Sequence, residues 1–152
     1  MQIIIRGKRY DVLVKYNDDV KVYNINIVDP SWARIGTIKF KILSEYWGNE
    51  TWLNSISTEP EFQHMGVGKA LLQLCEYFSS LHNVGLIHGI YLPLNEHAAA
   101  LYDKNGYDIV QIDQELFIMK NIDIVKTQKE LSGTILLDTN EDCYDKSNGL
   151  NV

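Results

Sequence analysis

The chain has only two cysteines, and they sit apart: Cys75 in an apolar-faced stretch and Cys143 in a polar tail. That pattern excludes a disulfide framework and reads as reduced thiols in a cytoplasmic protein. No apolar run approaches the roughly 20 residues that a membrane-spanning helix needs. Met1 to Arg6 also lacks the layout of a signal peptide. His64, His82, His88 and His97 show no ligand spacing with cysteines or carboxylates, so no metal is expected. Positive charge is scarce as well, with 14 Lys and Arg against 20 Asp and Glu, a net charge of −6. This argues against a nucleic-acid partner and leans slightly toward basic ones, such as amines or lysine-bearing proteins. Finally, no segment before Gly66 has helical periodicity.

What is present suits a single domain: 152 residues, 45% of them hydrophobic, are enough for one core. Gln2 to Arg6, Tyr10 to Tyr16, Val20 to Val28 and Arg34 to Leu43 read as strands, with a hairpin turn at Asn17-Asp18-Asp19. Trp52 to Thr58 is a further strand, stopped by Glu59-Pro60-Glu61. Val67, Leu71, Leu74, Phe78 and Leu81 then define the buried stripe of a helix. It ends near His82 to Gly85 and leads to a strand at Leu86 to Tyr91. Strand, helix and strand in this order predict a right-handed crossover between parallel strands.

The loop inside that crossover, Gln63-His64-Met65-Gly66-Val67-Gly68-Lys69-Ala70, carries the most chemistry. Glycines one residue apart let backbone approach a ligand without Cβ obstruction. The helix beginning there aims unpaired N–H groups, with their partial positive charge, at the loop. A phosphate or pyrophosphate suits that cradle, at the carboxyl end of a strand where open sheets bind ligands. It is not the phosphate loop of an NTPase, because Lys69 is followed by Ala70 and not by Ser or Thr.

Pro60 to Leu72 resembles the acetyl-CoA signature of the GNAT superfamily of N-acetyltransferases, Gln/Arg-x-x-Gly-x-Gly/Ala. Asn95-Glu96-His97-Ala98-Ala99-Ala100-Leu101-Tyr102-Asp103-Lys104-Asn105-Gly106-Tyr107 is similar to the family's later motif, Asn, then Leu-Tyr, then Lys-x-Gly-Phe/Tyr. Asn95 is a good helix N-cap and Gly106 sits where a C′ glycine belongs. The resemblance covers about residues 50 to 121 and implies a mixed α/β fold. That fold is a twisted, mostly antiparallel sheet with one splayed parallel pair and flanking helices. The two helices usual after the first strand look missing, or reduced to the loop around Asp29-Pro30-Ser31-Trp32. An acetyltransferase domain is expected over 1–121, with an extension over 122–152.

Several assignments follow from the resemblance alone. Acetyl-CoA would be the cosubstrate, its pantetheine arm beside Ile56, Ser57 and Thr58. Its pyrophosphate would meet amides of Gln63, His64, Met65, Gly66, Val67, Gly68 and Lys69, with Asn95 near the arm. Tyr102 would protonate the departing thiolate; otherwise it is a core aromatic. The acceptor would be a primary amine: a protein lysine, an N-terminus or a small amine. An amine near pKa 10.4 must lose a proton, and the candidate bases are Glu50 and His88, each alternatively a structural residue. Alternation predicts that positions 50, 52, 54, 56 and 58 share a face. A different class of function remains open: a GNAT-fold module that binds CoA or a partner protein without turnover.

After Gly106, Tyr107 to Gln111 and Leu116 to Lys120 read as two closing strands. Lys126 to Leu131 reads as a short helix stopped by Gly133, and Thr134 to Leu137 as a short strand. Asp138 to Val152 is polar and acidic, open to reading as a disordered end, an oligomer arm or a lid, with disorder the default.

Overall fold

A computed structural model describes residues 1–46, 48–92 and 96–137, the side chains of Glu45, Glu96 and His97 excepted. Asn95, Cys143 and the segment 138–152 therefore lie outside the described residues. The strands are β1 (Gln2–Ile5), β2 (Lys8–Asn17), β3 (Val22–Val28), β4 (Arg34–Glu45), β5 (Gly48–Thr58), β6 (Leu86–Ile90), β7 (Asp108–Ile112), β8 (Glu115–Asn121) and β9 (Ile135–Leu136). Among the described residues three helices join them: α1 (Val67–Leu81), α2 (Glu96–Lys104) and α3 (Ile124–Leu131). All nine strands form one sheet in the order β7-β8-β6-β5-β4-β3-β2-β1-β9. Every neighbouring pair is antiparallel except β5 and β6. The mixed α/β class and the splayed parallel pair are as the sequence predicts.

Tight turns explain why the first half of the chain is all strand. Arg6 and Gly7 have φ of 49° and 81°, the two left-handed residues that a two-residue hairpin requires. Between β2 and β3 the Asn17 side chain accepts from the amide of Asp19 at 3.0 Å and folds the chain back at once. Between β3 and β4 the Asp29 carboxylate accepts from the Ser31 and Ala33 amides and the Ser31 hydroxyl. The hydrogen bond from Ser31 is the main reason that its pKa lies below the ordinary range. Among the described residues no helix precedes Pro60, so the two helices usual after the first strand are absent.

All three helices gather on one face of the sheet. Gly36 of β4 admits α1 closely: a Cβ there would stand 2.7 Å from Val67 Cγ1 and 3.0 Å from Leu71 Cδ1. The Thr51 and Ser79 hydroxyls, both buried, meet at 2.7 Å and tie α1 to β5. Phe78 packs near Tyr23, whose ring stacks on Phe40 at 5.3 Å and whose hydroxyl meets His82 Nε2 at 3.1 Å. The predicted stripe on α1 is buried as far as Phe78, with Leu81 half-buried, but so are Ala70, Leu72, Cys75, Glu76 and Tyr77 around it. The cause is that α1 is enclosed on its flanks: α2 approaches at Gly68 through Leu101, and α3 donates from Gln128 to the Ser80 carbonyl. Strand β9 pairs with β1, so the extension as far as Leu136 packs onto the same body. Among the described residues no helix is long and apolar enough to cross a membrane.

A buried polar knot closes the far end of α2. Glu76 accepts from the Tyr107 hydroxyl at 3.0 Å and from Lys120 Nζ at 3.1 Å, while Lys120 also donates to the Asn105 carbonyl at 2.8 Å. Burial pushes the Glu76 carboxyl up, and the Lys120 ammonium partly offsets this. These bonds hold the Asn105-Gly106-Tyr107 turn against α1, with Gly106 at φ 83°.

The parallel pair is short and tight. Thr51, Trp52 and Leu53 face Ile87, His88 and Gly89, and pairing stops there. A Cβ on Gly89 would stand 2.6 Å from the Leu53 carbonyl oxygen, a backbone atom with little room to yield. Gly89→Ala is expected to lower stability by about 1–3 kcal/mol, the range for overpacking, measured by urea denaturation; unchanged stability would show that β5 and β6 part freely.

Candidate active site

Beyond Leu53 and Gly89 the two parallel strands separate, and a notch opens between residues 54–58 of β5 and the end of β6. A bulge sits at its apex. Ser55 pairs with Lys39 and Leu53 with Phe40, so Asn54 is an extra residue with no partner on β4. The insertion reverses the side-chain alternation of β5. Glu50 and Trp52 therefore share the helix-free face with Ser55 and Ser57, whereas Ile56 turns toward the core with Leu53. The single shared face expected for positions 50 to 58 is broken there, because alternation counts residues and cannot register one that is looped out.

The glycine loop closes the wide end of the notch. A 3-10 turn at Pro60–Phe62 follows β5, and the Glu59 amide donates to the Ile35 carbonyl at 2.9 Å. His64 and Gly66 then take left-handed conformations, φ 64° and 88°. Gly66 is the N-cap of α1, and no side chain caps that helix. The first-turn amides of Val67, Gly68 and Lys69 thus open toward the loop beside Gln63, His64 and Met65, which are exposed. A Cβ on Gly68 would touch Leu101 of α2 at 3.0 Å, so this glycine also sets the spacing of two helices.

Sequence reasoning missed Arg6. From the β1–β2 turn its guanidinium Nη2 donates to the His64 carbonyl at 3.0 Å, and its Nε lies 3.7 Å from where a Gly66 Cβ would be. The signal was available in the Arg6-Gly7 pair as a hairpin turn, but nothing local says that this turn reaches residue 64. Arg6 fixes the shape of the loop and adds a positive charge at its rim.

Tyr102 is buried on α2, its ring 5.7 Å from that of Tyr107. Burial, with a smaller effect from nearby Cys75, pushes its pKa up to about 12, so the phenol stays protonated at neutral pH. Its hydroxyl has no hydrogen bond among the described residues, which leaves a donor to offer. Burial also raises the Cys75 thiol, which makes it a packing residue and not a nucleophile.

Glu50 and His88 come together on the other face of the sheet, with Glu50 Oε2 3.2 Å from His88 Nε2. The nitrogen is enclosed yet takes no well-aligned hydrogen bond. Trp52 stands edge-on to His88 at 4.5 Å, with Phe117 6.2 Å further along. Glu50 lies within the strand and not at its edge, because β5 begins at Gly48, four residues before the predicted start. Among the described residues no group of three His, Cys, Asp or Glu side chains is arranged for a metal ion.

Comparison with known proteins agrees with this fold. The profile of the Acetyltransferase (GNAT) family matches residues 27–107. No curated protein matches the chain in sequence. Among solved structures, the PaiA N-acetyltransferase of Thermoplasma acidophilum, in complex with coenzyme A, superposes with a TM-score of 0.59 at 19% identity. That alignment covers 67% of this chain and 62% of the other, less than two thirds of its length. The GNAT domain of S. lividans PAT gives a TM-score of 0.67 at 12% identity, covering 80% of this chain and 96% of that one. Arabidopsis thaliana NAA60, bound to a bisubstrate analogue, gives 0.57 at 15% identity, covering 68% and 77%. At such identities the structural likeness carries the fold alone.

Because the Arg6 bond is exposed and worth about 0.5–1.5 kcal/mol, Arg6→Ala is expected to speed amide exchange across residues 63–69 by up to about tenfold. Hydrogen-exchange mass spectrometry checks this, with β4 as the unaffected control; unchanged exchange in the loop would remove Arg6 from its support.

Proposed function

The chain belongs to the acetyltransferase (GNAT) family, and from that premise we propose that it moves an acetyl group from acetyl-CoA to a primary amine by direct attack. The observation that carries this reading is the notch between β5 and β6 with an uncapped helix N-terminus at its mouth. Amides of Gln63 through Lys69 bind the pyrophosphate, with helix-terminal charge and the Arg6 guanidinium favouring the anion. The pantetheine arm runs along Ile56, Ser57 and Thr58 into the notch, and Asn95 keeps the role near the arm that the resemblance implies. No metal takes part in this scheme, and a cytoplasmic location fits the reduced Cys75.

Attack by the amine on the thioester carbonyl gives a tetrahedral oxyanion. Backbone N–H groups of β5 freed by the loss of pairing stabilise it, at up to roughly 3–4 kcal/mol for a well-placed donor. The acceptor approaches from the helix-free face, where no helix pair encloses it, so an amine presented by a larger molecule fits better than a small metabolite. Its proton passes to His88, which stands beside the Glu50 carboxylate with Nε2 3.2 Å from Oε2. Collapse of the intermediate expels the thiolate of CoA, and the Tyr102 hydroxyl donates to it. With the phenol near 12 and a thiol near 8.5, full proton transfer is uphill, so Tyr102 acts chiefly as a hydrogen-bond donor to the developing charge.

Calorimetry with acetyl-CoA, followed by thiol-release assays over amines, lysine peptides and proteins, tests the proposal. Binding with no thiol release across that panel would favour the reading as a non-catalytic CoA-binding module. Tyr102→Phe keeps the ring packed, so kcat should fall at least about tenfold with acetyl-CoA affinity unchanged; an unaltered kcat where chemistry limits the rate returns Tyr102 to the core. His88→Asn is expected to lower kcat by roughly 10²-fold or more, the usual scale of base catalysis, and an equal loss confined to acetyl-CoA affinity would contradict its role.

A further inference from the structure

The sheet face away from the helices carries an arrangement of charge that the acetyl-transfer chemistry does not use. Lys15 of β2 stands opposite Asn24 of β3, Asn24 opposite Lys39 of β4, and Lys39 opposite Ser55 of β5. Lys41 stands opposite Trp52, and Trp52 opposite His88. Directly paired residues share a face, so Lys15, Lys39 and Lys41 lie on the same side as the Glu50–His88 pair. None of the three lysines has a hydrogen bond or ion pair among the described residues. Four other basic residues, Lys21, Arg34, Lys120 and Lys126, have carboxylate partners, while Lys8, Arg9, Lys69, Lys104 and Lys129 form no ion pair among the described residues. Among the described side chains, the carboxylates on this face of β2 to β5 have neighbours: Asp11 accepts from Gln2 Nε2 at 3.2 Å, and Glu50 faces His88.

Spacing makes the lysines act together. Paired strands are about 4.8 Å apart, so Lys15 and Lys39 stand about 10 Å apart, and Lys41 about 10 Å from His88. That is within roughly one Debye length at 0.1 M salt, and one anionic ligand would feel all three. The row leads across the open sheet to the apex of the notch, where Trp52 flanks the proposed base. In a chain of net charge −6, an unpaired cationic row beside the acceptor entrance selects for negative charge locally.

We propose that this face recognises the acceptor as a peptide segment with acidic residues near its target lysine, the carboxylates seated on Lys41, Lys39 and Lys15 while the amine enters past Trp52. The proposal rests on the acetyl-transfer reading and adds the substrate class to it. An extended peptide advances about 3.3 Å per residue, so the first carboxylate falls about three residues from the lysine. A nucleic acid is the poorer occupant, because tight binding uses about 6–10 phosphate contacts and would work against the overall negative charge.

The test is fluorescence-anisotropy binding of three labelled lysine peptides, flanked by Asp and Glu, by neutral residues, or by Arg, and of a labelled single-stranded oligonucleotide. The full chain is compared with the double variant Lys39→Glu/Lys41→Glu and with the milder Lys39→Ala, each checked by thermal unfolding. The acidic peptide should bind at least about tenfold tighter than the neutral one, weaken as salt rises and lose that advantage in the double variant. Calorimetric affinity for acetyl-CoA should be unchanged in both variants. Equal binding of the three peptides, a preference that survives charge reversal, or tighter binding of the oligonucleotide would overturn the proposal. Failure of the acetyl-transfer reading appears separately, as absent acetyl-CoA binding or absent thiol release, while the anisotropy arm still decides the acidic preference.

Discussion

Everything at the candidate site depends on one strand pair that stops early. Strands β5 and β6 are joined over only three residue pairs, because Gly89 lets the backbones approach and the Asn54 bulge then bends β5 away. Were pairing to continue, those amides of residues 54 to 58 that point away from β4 would be spent on β6 and no notch would exist. The rest of the fold holds this opening in place. Gly36 draws the start of α1 down onto β4, and the Thr51–Ser79 bond joins α1 to the base of the notch. The helix N-terminus is thereby held at its mouth. A helix end that no side chain caps, beside strand amides that no strand pairs, would suit a ligand rich in acceptors.

Much of the architecture was legible in the residues. The period of α1, the alternation of the first four strands and the turn residues at Asn17, Gly85 and Gly106 each declare a local structure, and the structure agrees with them. What escaped sequence reasoning needed information from distant parts of the chain. The bulge at Asn54 follows from the register against β4, not from any feature of residues 52–58. Arg6 reaches His64 across 58 residues of sequence, and the packing role of Gly68 emerges only once Leu101 of α2 lies on it. The start of β5 at Gly48 was hidden because Gly48 and Asn49 are poor strand formers that pairing with β4 overrides.

Whole-chain charge is a poor guide to this site. The deficit of lysine and arginine suggests basic partners, yet Lys15, Lys39 and Lys41 share, without ion pairs of their own among the described residues, the face from which an acceptor would come. Part of the acidity belongs to the C-terminal stretch containing Asp138, Glu141, Asp142 and Asp145. A ligand responds to the charges within about a Debye length, so these three lysines count for more there than the net charge of the chain. On the helix-free face Lys15 and Lys39 are exposed and Lys41 is half-buried.

The central claim is that the notch and the loop at its mouth form one cofactor site. Backbone amide chemical shifts of the isotopically labelled protein, followed by NMR through a titration with CoA, test it directly. Saturable shifts are expected to concentrate at residues 55–58 and 63–69, with the amides of β9 and α3 unmoved. Shifts that leave both segments unaffected, or that centre on α3 and β9, would contradict it.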